Sequence, residues 1–468
     1  MQAQGGNNWK NRVVQHQSSL GSRLIGAGRF LEDFIMKGKR ISRRRFLKEA
    51  SYAAAGVISF PFIVSASALG KAGSVAASER IVMGCIGMGN QGTAHMGWRG
   101  GGVPNLGWVE PGGFMGSSEV QMVAVCDVDE RWRNRARDIA NKYYGNNNCA
   151  AYSDFRQLLG RQDIDAVVTA TPSHWNAIVD IAAAKAGKDI YCEKPMSLTI
   201  AEARAMANAV KRYGRVLQMG TQQRSDMKFR FACELVRNGY IGEVKSVTVG
   251  VGGPAGVCNL PGQGVPDYLD WEMWLGPAPA RPFHPGLLQH GWMGYWDYGG
   301  GEMTNWGPHH FDIAQWGLGM DHSGPVEIIP PDGKDYKVLT YKYANGVIMT
   351  RDKANGVLFT GTEGKVEVNR GYLRTWPDSL ARQKLGPDEI HLYESNSHQG
   401  NFLRCIRTRN KPICDEEIGY RSVTVCHLGN LAYRLKRPLK WDPEQERFIN
   451  DEQTNRMLWR PMRSPWYL

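Results

Sequence analysis

The sequence predicts an α/β protein: a doubly wound, parallel-stranded domain followed by a second α/β domain whose sheet is mostly antiparallel. Three observations predict it. After about Ala77, short apolar runs alternate with helical stretches. A glycine-rich turn, Gly87-Met88-Gly89-Asn90-Gln91-Gly92, joins the first run to the helix after it. Beyond Gly220 the alternation gives way to short strands separated by turns such as Asn345-Gly346 and Asn355-Gly356. At 468 residues the chain exceeds one compact core, so two domains and some non-core sequence are expected.

In order, residues 81–86, 120–126, 166–170, 189–192 and 216–219 read as buried parallel strands, being apolar without strict alternation. Helical stretches lie between them at 131–143, 176–186 and 200–213. A Gly- and Pro-rich insertion between Gly97 and Ser118 reads as a surface loop. The second domain opens with a helix-like segment, 228–237, and an alternating strand, 244–249. A long Pro/Gly/Trp-rich region follows, then strands at 337–343, 347–350, 357–360 and 366–368. The expected boundaries are an N-terminal extension over 1–77, the first domain over 78–220, the second over 221–440, and a polar tail over 441–468. That tail is expected to wrap the body or a partner subunit.

The formal charge of +12 is concentrated: residues 37–48 hold seven basic residues and no acid. The rest mixes both signs without a basic stripe interleaved with aromatics, which disfavours nucleic acid as a partner. Ser42-Arg43-Arg44-Arg45-Phe46-Leu47-Lys48 precedes an uncharged stretch from Ala50 to Gly70 that ends in small residues near Ala68. This order resembles a twin-arginine export signal, with Arg43 and Arg44 as the pair. It implies the twin-arginine machinery as a partner and a periplasmic or exported destination. The 35 residues before Met36 are long for such a signal, so Met1 and Met36 both stand as starts. The nine cysteines include no CxxC pair, and Cys85, Cys126 and Cys192 sit in apolar runs as small buried residues would. Fifteen tryptophans are many, and those between Trp271 and Trp316 suit either core packing or the flat walls of a polyol cleft.

The glycine turn carries the strongest chemistry. Gly87 permits the tight turn, Gly89 lets backbone approach a pyrophosphate, and Gly92 lets the helix pack on the strand. With Asn90 and Gln91 between them, these residues are the expected phosphate cradle of a Rossmann domain. Asp127 closes the second strand, where a carboxylate can take both ribose hydroxyls of NAD and repel a 2′-phosphate. Arg131 and Arg133 lie close enough to keep NADP open. The loop Thr171-Pro172-Ser173-His174 and the run Glu193-Lys194-Pro195 both follow strands, so both are placed at the cofactor rim.

These features, with the run from Gly299 through Asn305 and His309 to Asp312, resemble the Gfo/Idh/MocA oxidoreductases, the family of glucose–fructose oxidoreductase and inositol dehydrogenase. The resemblance spans roughly Glu79 to Trp466 and is in particular a similarity to exported members. It implies a Rossmann domain paired with an α/β domain whose large open sheet covers the active site and often makes homo-oligomer contacts. It implies Lys194 as the catalytic lysine, and it aligns Asn305 and His309 with a motif that ordinarily pairs Asp with His four residues on. Asn305 is the departure, because an amide can hydrogen-bond but cannot take a proton. The proton then falls to Lys194 or His309, with Asn305 orienting the substrate or His309. Gln222, Arg224, Tyr298 and Asp312 are further candidates for substrate contact, although Asp312 suits a helix-stabilising role and Arg224 a surface ion pair equally well. His309-His310 suggests a metal, but neighbouring helix positions diverge and no third ligand is evident, so none is expected.

The expected function is hydride transfer between NAD, carried tightly bound, and a hydroxyl or keto carbon of a sugar, cyclitol or sugar derivative. Two other readings stand beside it: glycoside cleavage through transient oxidation, and a cofactor-retaining binding protein with weakened acid–base groups.

Overall fold

A computed structural model of the chain describes residues 75–76, 79–97 and 113–468. The export-signal segment, Met36 and most of the Gly/Pro-rich insertion lie outside the described residues.

The first lobe alternates strand and helix: β1 (Ile81–Ile86), α1 (Asn90–Met96), β2 (Val120–Cys126), α2 (Glu130–Tyr144), β3 (Ala150–Tyr152) and α3 (Phe155–Leu159). Then come β4 (Ala166–Thr169), α4 (Ser173–Lys185), β5 (Asp189–Cys192), α5 (Ile200–Arg212) and β6 (Leu217–Met219). The six strands are parallel, in the order β3-β2-β1-β4-β5-β6. Every residue of β4 and β5 is buried, which is why these runs are apolar rather than alternating. Side chains fix where helices begin: Asp129 accepts from the Arg131 N–H at the start of α2, and Thr199 from the Glu202 N–H at the start of α5. The order reverses between β1 and β4, so a crevice opens at the C-terminal ends of those two strands.

The second lobe runs through α6 (Met227–Arg237), β7 (Val244–Val249), α7 (Trp271–Leu275), α8 (Glu302–Asn305), α9 (Gly307–Leu318), β8 (Glu327–Ile329), β9 (Leu339–Lys342), β10 (Ile348–Arg351), β11 (Val357–Gly361), β12 (Lys365–Asn369) and β13 (Tyr372–Trp376). It ends with α10 (His398–Thr408), α11 (Glu416–Leu435), β14 (Leu439–Asp442), β15 (Arg447–Phe448) and α12 (Glu452–Arg456). Nine strands form one sheet, in the order β13-β12-β11-β7-β10-β9-β8-β14-β15. Only the β7–β10 pair within it is parallel. Helices α6, α9 and α11 pack against this sheet, and α11 also packs on α5 of the first lobe. There Arg204 meets Glu417 at 2.8 Å.

Two segments tie the lobes further. Between β7 and α8 the chain makes a long excursion, stapled internally by an apolar cluster that includes Leu269, Trp271, Trp274, Phe283 and Tyr298. It reaches back to the first lobe: the Glu130 N–H donates to the Tyr268 carbonyl at 2.8 Å, and the Arg131 guanidinium lies 3.4 Å over the Tyr268 ring. The tail does not begin cleanly at 441, because Trp441 and Phe448 belong to the sheet. Beyond α12 it folds onto its own first lobe, with Arg460 on Glu202 at 2.6 Å and Trp466 edge-on to Trp175.

Candidate active site

The glycine turn shows why each glycine is there. Gly87 has φ +86°, and a β-carbon on it would lie 2.6 Å from the Ala170 carbonyl oxygen. A β-carbon on Gly92 would lie 1.9 Å from the Gly87 carbonyl oxygen, so helix and turn touch backbone to backbone. A β-carbon on Gly89 would meet no protein atom within 4 Å. Gly87 and Gly92 therefore serve the fold, while Gly89 leaves space in the crevice for a ligand. Asn90, Gln91, Thr171 and Pro172 line the same crevice.

Asp127 stands at the far end of the crevice. Its Oδ2 accepts the Met88 N–H at 2.6 Å and its Oδ1 the Asp129 N–H at 2.8 Å, which fixes the carboxylate while leaving further acceptor capacity. Burial pushes its pKa up to about 6, against those two bonds, which lower it. The two nearby arginines are engaged elsewhere. Arg131 forks onto Asp129, and Arg133 donates to the Asp127 backbone carbonyl at 2.8 Å. The residues present fit a dinucleotide: an open glycine cradle, a fixed carboxylate for a ribose, and the Thr171-Pro172 loop between them.

At the other end, Glu193 is a buried hub. It accepts from Gln91 at 3.0 Å, from Gln222 at 3.2 Å and from the Lys194 backbone N–H at 3.0 Å, and pairs with His95 Nε2 at 2.7 Å. Those partners, His95 foremost, hold its carboxyl below the usual range despite the desolvation that would raise it. Asn176 joins the two rim loops, accepting from the Thr171 hydroxyl at 2.6 Å and donating to the Pro195 carbonyl at 2.7 Å. Glu193 thus organises the rim, and Lys194 alone of the pair extends from it.

Lys194 Nζ donates to Asn305 Oδ1 at 2.8 Å. The two share a cleft with Gln222, Glu302, His309 and Arg370, and this cleft shares Gln91, Ala170 and Thr171 with the dinucleotide crevice. Burial lowers the Lys194 pKa, and the Arg370 charge acts in the same direction. His309 is buried, and its Nδ1 has no partner among the described residues. Desolvation, and then the Lys194 charge, push its pKa well below the ordinary value, so it is a neutral imidazole. The helix breaks at Trp306 between α8 and α9, yet Asn305 and His309 still face one cleft. His310 diverges as expected, donating to or accepting nothing there and meeting the Gly250 carbonyl at 2.8 Å.

Four expected contacts are corrected. His174 is buried beneath the excursion, its Nε2 on the Trp274 carbonyl at 3.0 Å, so it braces the lobes and does not touch the crevice. Arg224 is 1% exposed and forks onto Asp312 at 2.7 and 2.8 Å and onto Asp321. Asp312 in turn accepts from Ser422 at 2.6 Å, so this is an internal ion cluster behind the site and not a substrate contact. Tyr298 is fully buried against Trp274 and His174. Gln222 stays in the cleft. Of the tryptophans, Trp271 and Trp274 stack in the core, while Trp292 and Trp306 line the cleft, the latter 38% exposed.

Sequence reasoning missed His95, Asn176, Glu302, Arg370 and the stretch from His290 to Met293. Glu302, three residues before Asn305, was within reach of an i, i+3 argument. Arg370 sits on a hairpin turn far along the chain, and nothing local marks it.

Lobes, crevice and cleft together define a two-lobed protein whose first lobe has the form of a dinucleotide-binding Rossmann domain. The chain belongs to the Gfo/Idh/MocA oxidoreductase family: residues 81–221 match its NAD-binding Rossmann fold and residues 249–468 its C-terminal alpha/beta domain. It is 28% identical over 223 residues to a glycosyl hydrolase family 109 protein of Shewanella baltica, a match that covers 44% of each chain. It is 24% identical over 307 residues to myo-inositol 2-dehydrogenase of Thermotoga maritima, covering 64% of this chain and 75% of that one. The chain therefore spans less than half the length of the first of these relatives. In fold it is similar to the aldose-aldose oxidoreductase of Caulobacter crescentus, with a TM-score of 0.53 at 20% identity over 77% of this chain and 99% of that one. It is likewise similar to the WlbA dehydrogenase of Bordetella pertussis, solved with NADH and UDP-GlcNAcA, with a TM-score of 0.52 at 19% identity over 78% and 99%.

Proposed function

We propose that this protein transfers a hydride between a nicotinamide dinucleotide and the hydroxyl-bearing carbon of a sugar, cyclitol or sugar derivative. The observation that carries this is convergence: Lys194, Asn305 and His309 meet in a cleft that shares a wall with the dinucleotide crevice. The dinucleotide, when bound, supplies the hydride acceptor or donor. Gly89, Asn90 and Gln91 would hold its phosphates, Asp127 a ribose, and Thr171 and Pro172 its middle. Asp127, and the engagement of Arg131 and Arg133 elsewhere, favour NAD over NADP. The excursion lines the crevice with Trp274, Leu288 and Trp292, which supports a dinucleotide that is retained through turnover.

Either of two groups can take the hydroxyl proton: Lys194 once its ammonium, whose pKa burial lowers, has given up its own proton, or the imidazole of His309. Asn305 fixes where Lys194 points, and Trp306 lines the cleft with the Arg370 guanidinium 4.8 Å over its ring. Substituting Lys194→Ala or His309→Ala is expected to slow reduction of bound cofactor by a sugar panel roughly 10²–10⁴-fold for the group that acts as base. The assignment fails if both variants turn over like the parent. Mass spectrometry of the cofactor released by denaturation distinguishes NAD from NADP.

The similarity to a glycosyl hydrolase family 109 protein supports a second reading, transient oxidation that lets a glycoside eliminate its aglycone. Free aglycone without net NADH would select it. We also propose export by the twin-arginine route, on the strength of Arg43-Arg44 and the uncharged stretch from Ala50 to Gly70, tested by fractionating cells that express Arg43→Lys/Arg44→Lys. Self-association through the nine-stranded sheet is proposed on the family resemblance, and light scattering tests it.

A further inference from the structure

Lys194 is a half-buried ammonium whose one side-chain hydrogen bond among the described residues is to an amide oxygen, and an amide carries no charge of its own. The amide's other end is not idle. Asn305 Nδ2 donates to both oxygens of Glu302, at 3.1 and 3.3 Å. Chemistry fixes which way the amide is turned, since the reverse would set NH₂ against the ammonium and oxygen against the carboxylate. Glu302 is also held from behind. A β-carbon on Gly252 would lie 2.5 Å from Glu302 Cβ and 2.7 Å from its Cγ, so the bare glycine is what admits the Glu302 stem.

The groups facing Lys194 come from four places. Glu193 adjoins it on the rim, Glu302 and Asn305 lie on α8, His309 on α9 and Arg370 on the β12–β13 turn. Glu193 exerts the larger attraction on the Lys194 charge, but its oxygens are taken by His95, Gln91, Gln222 and the Lys194 backbone N–H, so it does not direct the Lys194 side chain. Glu302 has no side-chain hydrogen-bond partner besides Asn305 among the described residues.

Resting on the oxidoreductase reading above, we infer that Glu302 is a second charge-bearing positioning residue of this site, beside Glu193, acting on Lys194 through the Asn305 amide. The amide is a spacer. A carboxylate in direct contact would attract the ammonium strongly and keep it protonated, whereas the same charge one amide away attracts it less, because the interaction falls with distance. Lys194 is thereby held in direction by a hydrogen bond and yet remains easy to deprotonate.

The test measures the titration of Lys194 directly. The purified protein is labelled with trace acetic anhydride across a pH series, and acetylation of the Lys194 peptide is followed by mass spectrometry. Glu302→Gln keeps the shape and the bond to Asn305 but removes the charge, so the Lys194 midpoint is expected to fall by about 0.5–1 pH unit. Asn305→Asp places a charge in contact and is expected to raise the midpoint by about 1–3 units. The rising limb of the oxidation rate against pH should move with each. A midpoint unmoved in Glu302→Gln, with the melting temperature of the parent retained, overturns the inference. The labelling does not depend on turnover: a parent protein that transfers no hydride but shows both shifts contradicts the oxidoreductase reading and leaves the role of Glu302 standing.

Discussion

In the dinucleotide crevice the decisive atoms are backbone, whereas in the adjoining cleft they are side-chain tips drawn from positions as distant as Gln91 and Arg370. The crevice is shaped by what Gly87, Gly89 and Gly92 lack, and one short turn suffices to make it. The cleft exists only once β5, α8, α9 and the β12–β13 turn have been packed together. A site made of backbone is written locally, and a site made of side chains is written in the tertiary fold. The two can therefore be damaged separately.

The largest effect is expected where neither region is touched. Arg224→Met would strand Asp312 and Asp321 in the interior, at a cost of about 3–5 kcal/mol, read by chemical denaturation, with KM unchanged in the folded fraction. A raised KM with stability intact would return Arg224 to the substrate site. Next, Gly92→Ala forces a carbon against the Gly87 carbonyl, so stability should fall by about 1–3 kcal/mol and the cofactor should be lost as well. Gly89→Ala separates the two consequences. With no protein atom in its way, the melting temperature should hold while dinucleotide affinity, measured by calorimetry, drops about tenfold or more. The smallest effect is at the contact between the excursion and the first lobe. Arg131→Ala removes the stacking on Tyr268, worth about 0.5–1 kcal/mol, and should speed dinucleotide release about two- to fivefold in stopped flow.

The same contrast explains what the sequence could disclose. The parallel strands were legible because burial on both faces makes them continuously apolar, and the glycine turn because each glycine answers a local constraint. Asp127 was legible from its place at a strand end. Lys194, Asn305 and His309 were reached through motif resemblance, and the fold then brought them together. His174, Tyr298, Arg224 and Asp312 misled for one physical reason: polarity near a motif signals a site only if the group faces the ligand, and these are satisfied or packed inside. Arg370 and the His290–Met293 stretch were invisible because their contribution depends on a hairpin turn and a long excursion whose paths no local pattern sets. Glu302 was within reach, one turn from a residue already singled out.

On the proposed reading, crevice and cleft work as one site through Lys194. Transfer of deuterium from a carbinol-deuterated sugar to the bound dinucleotide, followed by mass spectrometry in the parent protein and in Lys194→Ala, tests it most directly. Label is expected in the parent's dinucleotide, with transfer slowed at least about a hundredfold in the variant and equal dinucleotide content in both. Equal transfer in the two proteins, or none from any sugar that binds, would contradict it.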